Sequence, residues 1–500
     1  MDKTKIILHG DYQIAPVDPR IYGGFLEHIG RAVYEGVYDP QSRHADEYGF
    51  RQDVLSSLKS LAFTVMRYPG GNFASGYHWL NGVGRRDLRP IVQDLASNSV
   101  EPNQFGTDEF MRLSEMMNWT PMITVNMGTG TPEEARNWVE YCNSPVGTQF
   151  ANLRAQNGHP EPYGVKIWCL GNEMDGHWQI GHVPAAQYAI QAQQAAKLMR
   201  KTDPAIELVV CGTSIYNLPH YMDWDRTVLE YVGDEADYIS LHRYAGKWEG
   251  DSADYLAVTN SIDQQIEEMD ALCRAVQARA RSKKRTYLAF DEWNVWYRTQ
   301  NDESVDGHGK TAQHLVEETY NLEDALVVAG FLNSFIRHAD VIKIANLAQI
   351  VNVIAPLLTS GERLLHQSIY YPVLLFASRR NGVALRPVVH GPGYESRLYG
   401  FSHCIDSSAI LGGEALYLFL INRSLDEAAT VETNLAGIQL KSIRSAEVVT
   451  GPSVEASNSF ESPGVIGNQP FRDIFLDEGN AKIQMPPLSI AAISFEVMKG

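Results

Sequence analysis

From about residue 20 to residue 375, apolar and polar positions repeat one phrase: a short β-branched or apolar run, a polar loop, then a longer stretch with apolar residues at helical spacing. The runs are GGFLEH (23–28), TVMRYP (64–69), MITVN (122–126), KIWCL (166–170), ELVVCG (207–212), YISLH (238–242), TYLAFDE (286–292) and VIKIANL (341–347). They are nearly continuous in apolar residues, the signature of parallel strands buried on both faces. Helices fit between them. One helix start is explicit: Thr131-Pro132-Glu133-Glu134 sets a capping hydroxyl, a proline at the first helical position and a glutamate at the third, a capping box with proline. Eight strand–helix alternations predict an α/β fold closed into a (β/α)8 TIM barrel, with its active site at the C-terminal ends of the strands. An open doubly wound sheet is the alternative. It usually binds a nucleotide through a Gly-rich first turn, and no GxGxxG follows any run; Gly128-Thr129-Gly130 lacks the third glycine.

Beyond about residue 380 the texture changes to short strands such as ALYLFLINR and AAISFEV, separated by Gly, Ser, Asn and Pro clusters. This pattern predicts a second, smaller all-β domain, a jelly-roll sandwich. The early run KIILHG (5–10) precedes the barrel and is expected to pair into that sandwich. The expected division is therefore 1–17 as an N-terminal strand segment joining the sandwich, 18–379 as the barrel and 380–500 as the sandwich.

Composition narrows the partners. Hydrophobic residues make up 44% of the 500 and charged residues 20%, with no apolar run near the roughly 20 residues that span a bilayer. A formal net charge of −18 disfavours nucleic acid and anionic membrane surfaces. The one dense basic run, Arg279, Arg281, Lys283, Lys284 and Arg285, reads as a helix C-terminus facing the negative end of its dipole. The N-terminal apolar stretch is only Ile6, Ile7 and Leu8, far below a secretory core, so a cytoplasmic location is expected. Five cysteines, Cys142, Cys169, Cys211, Cys273 and Cys404, lack CxxC spacing and read as reduced and mostly buried.

Polar residues close several of the apolar runs, and there the chemistry is expected. The fourth run leads into Gly171-Asn172-Glu173 and the seventh into Asp291-Glu292-Trp293-Asn294, so two glutamates reach the same barrel rim. Two carboxylates facing one cleft are the minimal machinery of glycoside hydrolysis: one ionised to attack the anomeric carbon, one protonated to serve the leaving oxygen. Mutual repulsion raises the pKa of the acid while nearby donors hold the other ionised. A pair of rim salt-bridge partners is the bland alternative.

These residues resemble a known family, the α-L-arabinofuranosidases of glycoside hydrolase family 51. The resemblance runs along nearly the whole chain and is carried by FLEHIGRAVYEG (25–36), MRYPGGNF (66–73), FGTDEFM (105–111), WCLGNEMDG (168–176), SLHRY (240–244) and DEWNVWY (291–297). It implies Glu173 as acid/base and Glu292 as nucleophile of a retaining, exo-acting enzyme that releases terminal α-L-arabinofuranosyl residues. It further implies that Glu27, Asn72, Asn172, Tyr244 and Gln349 hydrogen-bond the furanose or support the catalytic pair. A homo-oligomer, often a hexamer, and cytoplasmic processing of arabinose-containing oligo- or polysaccharides also follow from the resemblance.

Other residues stay open. Arg67 either pairs with a catalytic carboxylate or forms a structural ion pair, and His242 is equally ambiguous. Trp178, Trp248, Trp293 and Trp296 fall in or near strand-end loops, where one or two are expected to stack on sugar. The loop 299–310, TQNDESVDGHGK, reads as a mobile lid or an ordinary solvated loop. His177 and His182 are five apart and no HExxH or HxH cluster occurs, so no metal or other cofactor is expected. A nucleophilic serine would need a GxSxG elbow, which Gly212-Thr213-Ser214 does not supply. The rival functions are a related specificity, endoglucanase or β-xylosidase, and a catalytically silent carbohydrate-binding protein.

Overall fold

The computed structural model describes residues 3–300 and 309–499. Each of the eight apolar runs becomes a strand: β1 (Gly23–Phe25), β2 (Val65–Tyr68), β3 (Thr120–Thr124), β4 (Ile167–Leu170), β5 (Glu207–Val210), β6 (Tyr238–Ala245), β7 (Tyr287–Val295) and β8 (Ile342–Ala348). They pair in parallel in chain order, and β8 pairs with β1, which closes the barrel. Val65, Met122, Ile167, Val209, Ala289 and Ile344, each on a different strand, form a small core separate from the main one and fill the lumen. The larger core packs the outer faces of the strands against the helices.

Three details depart from the sequence expectation. β1 stops at Phe25, three residues short of the end of GGFLEH, so Glu27 lies just beyond it. β6 and β7 run three residues past YISLH and TYLAFDE, because each continues to pair with the other: His242 lies beside Glu292 and Tyr244 beside Asn294, after a register shift between Ser240 and His242. The helix Pro132–Asn143 starts as read, with the Thr131 hydroxyl accepting from the Glu134 N–H at 3.1 Å. Its box is only half made, since the Glu134 carboxylate lies 2.9 Å from His78 Nδ1 instead.

Apart from three two-stranded pairs, the remaining strands form two sheets of five and seven, with Ile6, Leu418, Val431, Ile483, Ile493 and Phe495 among the residues of the core between them. Thr4–His9 enters the five-stranded sheet between Val388–His390 and Ala429–Ala436, and Gln13–Pro16 joins the seven-stranded sheet beside Val383–Leu385. Helix Leu322–Arg337 binds this domain to the barrel: Asn333 and Arg337 each hydrogen-bond Asp406 at 2.9 Å. The basic run begins in the last turn of helix Thr259–Ala280 and continues past it; Arg279 pairs with Glu230, Lys284 with Asp237 and Arg285 with Asp270. All five cysteines are free and buried. Among the described residues, no helix is long and apolar enough to cross a membrane.

Candidate active site

The C-terminal strand ends converge on two glutamates. After β4 the chain turns through Gly171, at φ +89°, into Asn172 and Glu173, the latter held at φ +46° in the left-handed region that non-glycine residues seldom occupy. This turn aims Glu173 across the barrel mouth towards β6 and β7. Its Oε1 lies 2.9 Å from His242 Nδ1, and its Oε2 accepts from the Trp178 indole N–H at 2.8 Å. Burial, partly offset by the His242 contact and reinforced by the negative charge of Glu292, raises the Glu173 pKa.

Glu292 sits within β7, buried, with both oxygens engaged. Arg67 on β2 donates to Oε1 at 2.6 Å and the Tyr244 hydroxyl donates to Oε2 at 2.8 Å. The same guanidinium donates to Asn172 Oδ1 at 2.7 Å and stands 3.3 Å from Asp291 Oδ2. Burial works against the charge of Arg67, but Asp291 and Glu292 outweigh it and raise its pKa. Asn172 in turn donates to Asn72 Oδ1 at 3.3 Å.

His242 joins the two glutamates, its Nδ1 standing 3.4 Å from Glu292 Oε2 and its Nε2 3.5 Å from Asp291 Oδ1. Burial opposes an imidazolium there, yet Glu292, Asp291 and Glu173 prevail and hold its pKa well above the usual value. Asp291 is the counterpart: burial would raise it, but Arg67 and His242 keep it lowered, and Ser240 donates to it. Three carboxyl groups, those of Glu173, Asp291 and Glu292, thus share two cations.

Glu27 and Gln349, at the ends of β1 and β8, make a separate pair. The Gln349 amide donates to Glu27 Oε2 at 3.0 Å, and the Phe73 N–H donates to Oε1 at 3.1 Å. Burial and the charge of Glu292 push the Glu27 carboxyl up to about 8.

A cavity of about 560 Å³ opens over this floor, lined by Asn72, Glu173, Trp178, Tyr244, Trp248 and Trp296 among others. Glu292 and Asn172 are absent from the lining, but each bonds a residue that belongs to it, Tyr244 and Asn72. Glu27 and Gln349 are likewise absent from the lining. Trp293 packs on Phe331 and Phe335 in the core, away from the cavity. The loop read as a lid falls largely in 301–308, outside the described residues.

Glu173, His242 and Glu292 place one ligand atom each within 4.8 Å of one another, a spacing that a metal ion could span. An imidazolium is no ligand, and the Arg67 guanidinium already occupies Glu292, so the cluster fits proton transfer better than a cation. Sequence reasoning left Arg67 and His242 open and passed over Asp291 and Ser240. The signal was present: in Ser240, His242 and Tyr244, alternate residues of one strand are polar, which a strand buried on both faces does not require.

A family model described as "Alpha-L-arabinofuranosidase 1 domain" matches residues 57–269, and one described as "Alpha-L-arabinofuranosidase C-terminal domain" matches residues 291–489. The chain is 42% identical over 469 residues, 93% of its length and 94% of the relative's, to an intracellular exo-α-(1→5)-L-arabinofuranosidase 1 of Bacillus subtilis. It is 38% identical to an exo-α-(1→6)-L-arabinofuranosidase of Bifidobacterium longum, over 99% of this chain and 97% of that one. The solved structure of a family 51 α-L-arabinofuranosidase from Bifidobacterium longum superposes with a TM-score of 0.95 at 33% identity, covering 99% of this chain and all of that one.

Proposed function

Because this chain belongs to the α-L-arabinofuranosidases of glycoside hydrolase family 51, we propose that it releases terminal non-reducing α-L-arabinofuranosyl residues from arabinan, arabinoxylan and their oligosaccharides by double displacement. The observation that carries this reading is the spacing of the carboxylates. One oxygen of Glu173 and one of Glu292 lie within 4.8 Å, near the roughly 5–5.5 Å of retaining enzymes and short of the roughly 6.5–9.5 Å that leaves room for an attacking water.

The two glutamates then divide the work. Glu292, oriented through both oxygens by Arg67 and Tyr244, attacks the anomeric carbon while Glu173 gives its proton to the departing glycosidic oxygen. A covalent arabinosyl ester forms on Glu292 and the leaving chain departs with the proton. Glu173 next takes a proton from water, whose oxygen attacks the anomeric carbon and frees Glu292. Its raised pKa suits it to both halves of this cycle. By the family resemblance, Glu27, Asn72, Asn172, Tyr244 and Gln349 hydrogen-bond the furanose or support the catalytic pair, Asn172 by donating to the 2-hydroxyl. No step draws on a cofactor.

The relatives named intracellular support a cytoplasmic enzyme, and the family resemblance supports a homo-oligomer, most often a hexamer; light scattering reads the oligomer directly. The reaction is tested by hydrolysis of p-nitrophenyl α-L-arabinofuranoside with the released anomer followed by NMR. Retention is expected, abolished in Glu292→Ala. Glu173→Ala is expected to slow arabino-oligosaccharides by about 10²–10⁴, yet to retain formation of the ester from aryl substrates whose leaving group needs no proton. Inversion of the anomer, or turnover of xylosides or glucans alone, would overturn the reading.

A further inference from the structure

Beside the catalytic cavity lies a second one of about 540 Å³, and the two share Tyr216, Asn217, Arg243, Trp248 and Tyr399 as common wall. We propose that this second cavity is a distal leaving-group subsite, holding a neutral sugar unit beyond the one attached to the cleaved bond, and that the β-domain builds part of it. The inference rests on the arabinofuranosidase reading above.

Its lining has the chemistry of a saccharide site. Trp248 is 53% exposed and presents an uncovered indole, while Asn217 and Gln264 bring amides that both donate and accept, one Gln264 N–H being engaged by Glu268. Flat apolar faces interleaved with a few oriented polar groups are what a sugar ring requires.

Arg243 marks the junction. Neighbouring His242 and Tyr244 serve the glutamates, but Arg243 on the same strand points elsewhere: it lies over the Tyr216 ring at 4.8 Å and donates to Ser261 Oγ at 2.7 Å. Among the described residues that is its only side-chain hydrogen bond, and it takes part in no ion pair, whereas Arg67, Arg89 and Arg337 each hold a carboxylate. Burial lowers its pKa and only tyrosines oppose that shift. A guanidinium carries five N–H groups, so most of its donors are left to face the two cavities, where sugar hydroxyls would satisfy them.

The far wall comes from the β-domain. Strands Gly393–Ser396 and Gly400–His403 form a hairpin that reaches the barrel and sets Leu398 and Tyr399 into the cavity. Its position is fixed: Asn260 Nδ2 donates to the carbonyls of Tyr399 at 3.1 Å and Phe401 at 2.9 Å, Tyr394 donates to the Ala253 carbonyl, and Ser396 donates to Asp254 at 2.7 Å. A hairpin clamped at four points keeps the cavity open at constant width.

The test compares kcat/KM on α-(1→5)-linked arabinobiose, arabinotriose and arabinotetraose, with the aryl arabinofuranoside as reference. Wild type should gain at least about five-fold from two units to three, the scale of one or two good polar or stacking contacts. Arg243→Met, Tyr399→Ala and Gln264→Ala should each bring the triose-to-biose ratio towards one, whatever they do to the aryl substrate. A merely structural role would depress all substrates together and leave the ratio intact. A wild-type ratio near one, or a ratio unchanged in all three variants, overturns the proposal. If no arabinofuranoside is turned over at all, the parent reading fails first and this one falls with it.

Discussion

At the scale of single residues, Glu27 is a carboxyl group whose ionisation the surroundings plainly oppose. It faces the Phe73 N–H and the Gln349 amide, both neutral donors, and forms no ion pair among the described residues. Burial and the charge of Glu292 push it up to about 8. The folded protein therefore binds this proton more tightly than the unfolded chain, where a glutamate titrates near ~4.3. Its contribution to stability is complete below that unfolded value and is lost as pH rises through about 8. Glu27→Gln removes the titration but sets an amide N–H₂ against one of the two donors, at a cost of about 1 kcal/mol. The variant should start with a lower melting midpoint and lose less of it than wild type between about pH 6 and about pH 9. Parallel pH profiles would show that Glu27 is already ionised in the fold. At neutral pH the raised pKa of Glu27 spares the floor another negative charge beside Glu292.

At the scale of elements, the turn after β4 decides where Glu173, the proposed acid/base, stands. Gly171 takes φ +89° there, and a Cβ on it would stand 2.9 Å from the Met127 side chain. Gly171→Ala meets both the left-handed penalty and that contact, so the strand end must move, and Asn172 and Glu173 move with it. A misplacement of about 1 Å at a reacting group is enough for a loss of about 10²-fold. The expected outcome is a folded protein with a modestly lower midpoint and kcat/KM on arabinofuranosides reduced by about that factor. Activity within a few-fold of wild type would mean that the turn tolerates the change. The architecture around this turn was largely legible. Near-continuous apolar runs report strands buried on both faces, and polar residues closing such a run, as in Asn172-Glu173, stand out because burial does not call for them. Contacts across the chain were not legible. The choice of Arg67 between a catalytic and a structural carboxylate turned out to be no choice, because Asp291 and Glu292 are adjacent in β7 and one guanidinium reaches both. Likewise Glu134 supplied half of a capping box on paper, but His78, 56 residues earlier, took its carboxylate. Periodicity reports which face a residue occupies; it carries no information about which distant group arrives there.

At the scale of the whole molecule, the two domains depend on a strand that precedes both. Thr4–His9 pairs antiparallel with Val388–His390 on one side and parallel with Ala429–Ala436 on the other, so it is internal to its sheet. Ile6 and Leu8 point into the sandwich core with no exposed surface. Removing the segment up to Gly10 forfeits roughly 3–6 kcal/mol of apolar burial from those two side chains and leaves two unpaired edges facing each other across a gap, which favours association with other chains. The damage should not stop at the sandwich. Asp406 in that domain holds Asn333 and Arg337 of a barrel helix, Arg423 reaches Thr259 of another, and the Leu398–Tyr399 wall hangs from the same β-domain. The truncated protein is expected to aggregate more and melt lower than the full chain, with loss of arabinofuranosidase activity tracking the loss of tertiary signal. Unfolding at the temperature of the full chain, with the sandwich intact by hydrogen exchange, would show that the remaining strands close the gap without it, and that the N-terminal strand adds nothing the β-domain needs.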